Sequence, residues 1–290
     1  VEIDQALMRF TDMSGNSITT GTDIRNIAQT MTIAAMTYAL DMANPEEPSE
    51  RIMVNGGLEN LGFEGTITLP ENVDMSDVAA AMRAGFSLDG YTYENGTSDF
   101  SVIGDGQTFE GNSSSDSGRL TVRMDNTSLQ YEGEARGIAM NYAGSDIPLP
   151  VSLTMGTAGF NFLFPAGETE EPTDFGLGLT LADVTVSDAI WAMIDPAEQL
   201  SREPATVEID LTGQARLTQD IMDQQAMMEN AGAPPGELHS LSVNTLTLAI
   251  AGARLTGNGA FTFDNDDLTT CPGRPKPTGA RDFYLTGGNA

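Results

Sequence analysis

The stretch Val151-Ser152-Leu153-Thr154-Met155-Gly156-Thr157-Ala158-Gly159-Phe160-Asn161-Phe162-Leu163-Phe164 decides the fold class. Val151, Leu153 and Met155 alternate with Ser152 and Thr154. An extended chain with that period has one apolar and one polar face. The phase slips across Gly156-Thr157-Ala158-Gly159, and Phe160, Phe162 and Phe164 continue on the other parity. A glycine-flanked slip in an alternating run reads as a β-bulge.

The period of two recurs downstream. Phe175, Leu177, Leu179 and Leu181 alternate with Gly176, Gly178 and Thr180. Val207, Ile209 and Leu211 alternate with Glu208, Asp210 and Thr212, and Leu246, Leu248 and Ile250 with Thr247 and Ala249. Further strands are predicted near 51–58, 63–69, 86–93, 98–103, 119–124, 128–133, 135–142, 259–263 and 281–286. Turn signals separate them at Asn95-Gly96, Asp105-Gly106, Asn112 to Gly118, Asp125-Asn126, Asn258-Gly259 and Asp264-Asn265. Their spacing of roughly 8–12 residues is that of an antiparallel meander. Met31 to Met42 fits either a helix face or a strand; the density of Thr30, Thr32 and Thr37 favours the strand.

Three short helices are expected. One follows Ser76-Asp77 over Val78 to Met82, and one follows Ser187-Asp188 and stops at Asp195-Pro196. The third runs from Thr218 to Asn230. A Ser or Asp side chain at the start accepts from the exposed N–H groups of the first turn. The similarity of 76–82 to 187–193 marks a candidate internal repeat, with sub-units near 51–85 and 165–200. The fold class is therefore all-β and mostly antiparallel: one elongated meander or curved β-groove over 1–290, with a few short helices.

Composition excludes several functions. The chain has 42 acids against 13 bases, a net charge of −29, and Lys276 is its only lysine. Such a chain repels nucleic-acid backbones and anionic bilayers. With 40% hydrophobic residues in regular alternation it can fill a core, so disorder is not expected. No run reaches the ~18 apolar residues of a membrane helix. The chain opens at Val1-Glu2-Ile3-Asp4 and stops at Gly287-Gly288-Asn289-Ala290, which reads as an internal part of a longer protein.

Catalytic chemistry is sparse. His239 is the sole histidine and Cys271 the sole cysteine, so neither an internal disulfide nor an ordinary zinc site can form. His239 reads as a surface residue. Cys271 lies beside Arg274 and Lys276, which lower a thiol pKa, but it reads as structural or externally paired. Asp264 and Asp266 are spaced like calcium ligands, yet the glycine and terminal glutamate of an EF-hand are missing, so an acidic turn is the leading reading. No P-loop or dinucleotide fingerprint occurs. No catalytic residue and no cofactor are expected.

What stands out is an apolar stripe: Phe160, Phe162, Phe164, Leu177, Leu179, Leu181, Val207, Ile209, Leu211, Leu246, Leu248 and Ile250. It fits first a closed sandwich core; the sharper reading is a curved sheet whose inner face holds a lipid chain. Gly176, Gly178 and Thr180 on the opposite parity would let such a sheet bend.

Five segments carry a resemblance: Met36-Thr37-Tyr38-Ala39-Leu40-Asp41-Met42, Leu61-Gly62-Phe63-Glu64-Gly65, Asp74-Met75-Ser76-Asp77, Cys271-Pro272-Gly273 and Phe283-Tyr284-Leu285-Thr286-Gly287-Gly288-Asn289-Ala290. The chain resembles an uncharacterised domain-of-unknown-function family of Gram-negative envelope proteins. That resemblance implies a periplasmic setting and supplies no catalytic residues. By fold analogy it is similar to groove-forming β proteins that shield acyl chains. The expected function is a non-enzymatic envelope protein that binds or channels a lipid. The alternative is a structural or interaction module whose acidic surface meets a basic protein partner.

Overall fold

The computed structural model describes residues 2–75, 77–104, 106–146, 149–220, 235–266 and 275–287. They form twelve strands: β1 (Glu2–Thr20), β2 (Ile24–Ala43), β3 (Arg51–Pro70), β4 (Ser87–Gly104), β5 (Gln107–Met124), β6 (Ser128–Gly144), β7 (Val151–Pro165), β8 (Thr173–Val186), β9 (Ala205–Leu217), β10 (Gly236–Ile250), β11 (Ala253–Asp264) and β12 (Lys276–Gly287). Helix α1 (Val78–Arg83) lies between β3 and β4, and α2 (Asp188–Ile194) between β8 and β9. All twelve strands join one unclosed antiparallel sheet in chain order, with β1 and β12 at its edges. The fold is an all-β meander, as the alternation predicts, and Met31 to Met42 is strand.

The strands are far longer than the turn signals suggested. β2 and β3 have 20 residues each, against a usual 3–10. Asn95-Gly96 is not a turn: it lies inside β4, at the slip in pairing with β5 between Glu94 and Gly96. Asn112 to Gly118 lies inside β5, and Asn258-Gly259 inside β11. Glycine has another role inside these strands. Phe160 pairs directly with Gly133, Tyr93 with Gly62 and Phe283 with Gly257, and a methyl group at each glycine would run into that ring. Here glycine makes room for an aromatic side chain on the next strand. The long strand β1, with few apolar residues in phase, was missed by alternation.

α1 is capped as expected: the Asp77 carboxylate accepts the Ala80 N–H at 2.8 Å. Ser187 precedes α2 without a side-chain cap. The two helices sit at opposite ends of the sheet, since α1 follows an odd-numbered strand and α2 an even-numbered one. The helix expected over 218–230 lies largely, and Cys271 entirely, outside the described residues.

The described residues form a single sheet layer. The chain's accessible surface is 17,789 Å² at 30.7 kDa, whereas a compact protein of that mass exposes about 12,000 Å². Among the described residues, the one buried cluster forms where α1 lays Ala81 and Met82, with Phe86, over Leu129, flanked by Ile67, Leu88 and Met124.

Candidate functional site: an open apolar sheet face

Register assigns every residue to a face. Phe160 pairs with Leu179, Leu179 with Ile209, Ile209 with Leu246, Leu246 with Gly257 and Gly257 with Phe283. A second row runs Tyr131, Phe162, Leu177, Leu211 and Val243, and a third Ala158, Leu181, Val207, Leu248, Leu255 and Leu285. Directly opposed residues point to the same side. All twelve residues of the sequence stripe thus share one face. None of them is buried: Phe160 is 43% and Leu179 42% exposed, and Leu177, Leu248 and Ile250 are exposed as well. No second sheet packs on this face among the described residues.

The face extends well beyond the stripe. Gly133 continues the first row to Leu120, Thr92, Phe63 and Met31 on β5 to β2. A hollow of about 320 Å³ lies there between Met13, Met31 and Phe63. These residues escaped the sequence reading because Gly65, Gly90, Gly133 and Thr92 interrupt the apolar periodicity that would reveal them.

A crease crosses the sheet and explains the phase slip of β7. Asp12, Asn60, Gly137 and Asp183 have positive φ, a conformation that Asn, Asp and Gly adopt most readily. The pairs on either side of the crease bracket Asp12 with Ala34, Ala34 with Asn60, Asp116 with Gly137, and Gly137 with Gly156, itself bracketed with Asp183. At the crease, Asn60 donates to the Asn95 side chain at 3.3 Å, while Asn95 pairs with Glu59. Glu59 and Asn60 therefore share the polar side, which places both Leu58 and Leu61 on the apolar side. β4 alternates through the crease without switching parity, from Leu88 and Gly90 to Phe100 and Val102. The apolar residues above the crease consequently lie on the same face as those below. They include a ring cluster in which Phe100, Phe109 and Tyr142 lie 5.5–6.0 Å apart, matching Tyr131, Phe160, Phe162 and Phe164 below. Ile33 and Ile138, both buried, flank the crease on the apolar side.

The opposite face is polar and internally satisfied. The Tyr91 hydroxyl donates to Glu64 at 2.9 Å, and that bond raises the phenol's pKa. The Arg119 guanidinium lies 4.6 Å over the Tyr91 ring, and Arg123 pairs with Asp89 at 3.1 Å. A hollow of about 460 Å³ on this face is lined by Asp99, Glu110, Asn112, Asn141 and Ser152, whose amides and hydroxyl already bond one another.

The remaining candidates stay apart. His239 Nε2 lies 3.8 Å from Glu237, whose carboxylate also holds Arg216 at 2.8 Å. The neighbouring Ser240 hydroxyl accepts the Gln214 N–H. Asp264 accepts the Asp266 N–H at 3.0 Å, the geometry of an acidic turn. No group of three metal-ligating side chains occurs among the described residues, and none of their helices is long and apolar enough to cross a membrane. No family model, no curated protein and no solved structure matches the chain. The likeness to envelope proteins rests on the short segments alone.

Proposed function

We propose that this chain is a non-enzymatic lipid-handling protein whose apolar sheet face holds acyl chains. The observation that carries the reading is the run of apolar rows across a single layer that, among the described residues, α1 covers only around Leu129, with Phe160, Leu177, Leu179 and Leu248 all open to solvent. Removing such a surface from water is favourable at roughly 25 cal/mol per Å², and contiguous apolar patches of this kind mark ligand or partner sites. A chain of about 15 methylenes lying on one face buries about half its surface, worth about 6 kcal/mol at ~0.8 kcal/mol per buried methylene. Association costs offset much of that. Loose holding suits passage along the face better than storage. The setting in this proposal is the Gram-negative periplasm, supported by the family resemblance.

The test is mass spectrometry of the purified chain for co-purified lipid, with uptake of a fluorescent fatty acid. Bound lipid that disappears in Leu179→Asp, with the fold intact, supports the reading. A folded wild type that carries no lipid and takes up no fatty acid defeats it.

A second reading has its own support. The described segments between strands hold eighteen acids and two bases, so carboxylates crowd both ends of the sheet. A basic protein partner would meet that charge, and its binding would weaken steeply from low to physiological salt. Salt-insensitive binding would exclude it.

A further inference from the structure

A carboxylate interrupts the apolar face in the middle of the sheet. On β4 the apolar parity runs Leu88, Gly90, Thr92, Glu94, Gly96, Ser98, Phe100 and Val102, so Glu94 stands among the apolar rows. Two observations fix that side. Glu94 pairs with Gly118, two residues from the Leu120 that Thr92 meets. Its Cγ also lies over Gly118, 3.6 Å from where a methyl on that glycine would stand.

The ground beside Glu94 is small and polar. Gly96 pairs with Ser115 and Ser98 with Ser113, and Tyr38 lies over Gly56, the partner of Ser98 on β3. Beyond this floor the side chains turn apolar again, with Leu58 and Leu61 on β3, Leu120 on β5, and Ile138 and Met140 on β6. Glu94 and the three serines are half-buried, and none of their side chains has a hydrogen-bond or ion-pair partner among the described residues. No base on β3 to β6 shares their side. Arg51, Arg119, Arg123 and Arg136 all have the opposite parity. There Arg51 holds Asp41, Arg123 holds Asp89, Arg136 holds Glu134, and Arg119 covers Tyr91.

A carboxylate with part of its hydration removed and no donor beside it is unfavourable where it stands. An ionised carboxylate only accepts, so what offsets that cost is a donor. A cationic donor gains most, because apolar surroundings lower the local dielectric. The apolar rows on either side suit an aliphatic chain. We propose that Glu94 is a specificity-determining residue of the apolar face: it holds the protonated amine of an amphiphile whose chain lies on the neighbouring rows. The serine hydroxyls accept as well as donate, and so complete a seat for the three N–H groups of an ammonium. The carboxylate of a fatty acid meets repulsion at the same place. This inference rests on the lipid reading and ranks amine-bearing amphiphiles above anionic ones.

Isothermal titration calorimetry with decylamine and with decanoate, each below its micelle concentration in ~0.15 M salt, tests it. The wild type should bind decylamine the more tightly. Glu94→Gln keeps the shape of the side chain and removes its charge. It should weaken decylamine binding about tenfold or more, with decanoate binding equal or tighter. Glu132→Gln removes a charge from the polar side of β6 and should change either affinity less than about twofold, which separates Glu94 from the net charge of the chain. In urea melts without ligand, Glu94→Gln should be at least as stable as the wild type, since it removes a carboxylate without a partner. Binding of both amphiphiles with no effect of Glu94→Gln overturns the inference and leaves the lipid reading standing. So does a Glu94→Gln that unfolds or loses both amphiphiles, which makes Glu94 a structural residue. A folded wild type that binds neither amphiphile overturns the lipid reading and the inference with it.

Discussion

Leu179→Asp separates an open face from a packed core by energy alone. Leu179 is 42% exposed, and its register neighbours Phe160 and Ile209 lie beside it with no side chain above among the described residues. Fully burying a leucine is worth about 1.5–3 kcal/mol; with little more than half of it shielded, about 1–1.5 kcal/mol is at stake. The new carboxylate stays hydrated, so no burial penalty is added. Leu129 is the internal control, at 7% exposure beneath Met82 and Phe86. Leu129→Asp loses the full transfer energy and buries a charge without a partner, several kcal/mol in total. Against a usual stability of roughly 5–15 kcal/mol, the first variant should fold and the second should be unfolded or nearly so. Urea melts followed by far-UV circular dichroism read both. If Leu179→Asp is as damaging as Leu129→Asp, a layer covers the face and the open-sheet reasoning is wrong.

Three further outcomes follow from local geometry. Gly133→Ala places a methyl against the Phe160 ring, so it should cost about 1–3 kcal/mol by overpacking; a neutral change in the urea midpoint would mean the ring does not rest there. Asp77→Ala removes the cap of α1 and should cost about 1 kcal/mol, visible as earlier loss of the helix-covered cluster. The Asp125 carboxylate is held below the usual carboxylate range by the Thr127 hydroxyl, then by the Thr127 and Ser128 N–H groups. A depressed folded-state pKa stabilises above the unfolded value of about 3.9 and is lost as pH falls through the folded one. Wild type should therefore exceed Asp125→Asn at neutral pH, with the gap closing in acid; a gap independent of pH would remove Asp125 as the cause.

Much of the fold was legible in the sequence. Period-two alternation identifies β7 to β10 because there the rows through Phe160, Phe162 and Leu181 set apolar residue against apolar residue across the register, as Leu177 meets Leu211. The method fails where glycine faces an aromatic ring. Gly62 and Gly133 look like breaks along the chain, and only the neighbouring strand reveals that Tyr93 and Phe160 occupy their space. The turn signals failed for a related reason. Asn60 and Asn95 are turn formers by local propensity, but at the crease they bond each other across strands and let β3 and β4 run on. Whether the stripe was core or open surface was not legible at all, since alternation is identical in a sandwich and in a lone sheet.

The crease gives these features a common cause. Strands of up to 20 residues would coil a flat sheet out of register unless the accumulated twist is released. Conformations such as those of Asp12, Asn60, Gly137 and Asp183, set in β1, β3, β6 and β8 at one level, release it without changing which strands pair. The cost is that each switching strand must exchange parity there, and the sequence does so: Met13 gives way to Phe10, Ile33 to Met36, Leu61 to Leu58 and Phe160 to Met155. A sheet indifferent to which face is apolar would have no need of that exchange. Its repetition between β1 and β8, β4 excepted, in a layer with almost no core of its own, argues that a continuous apolar face is the feature the sequence maintains.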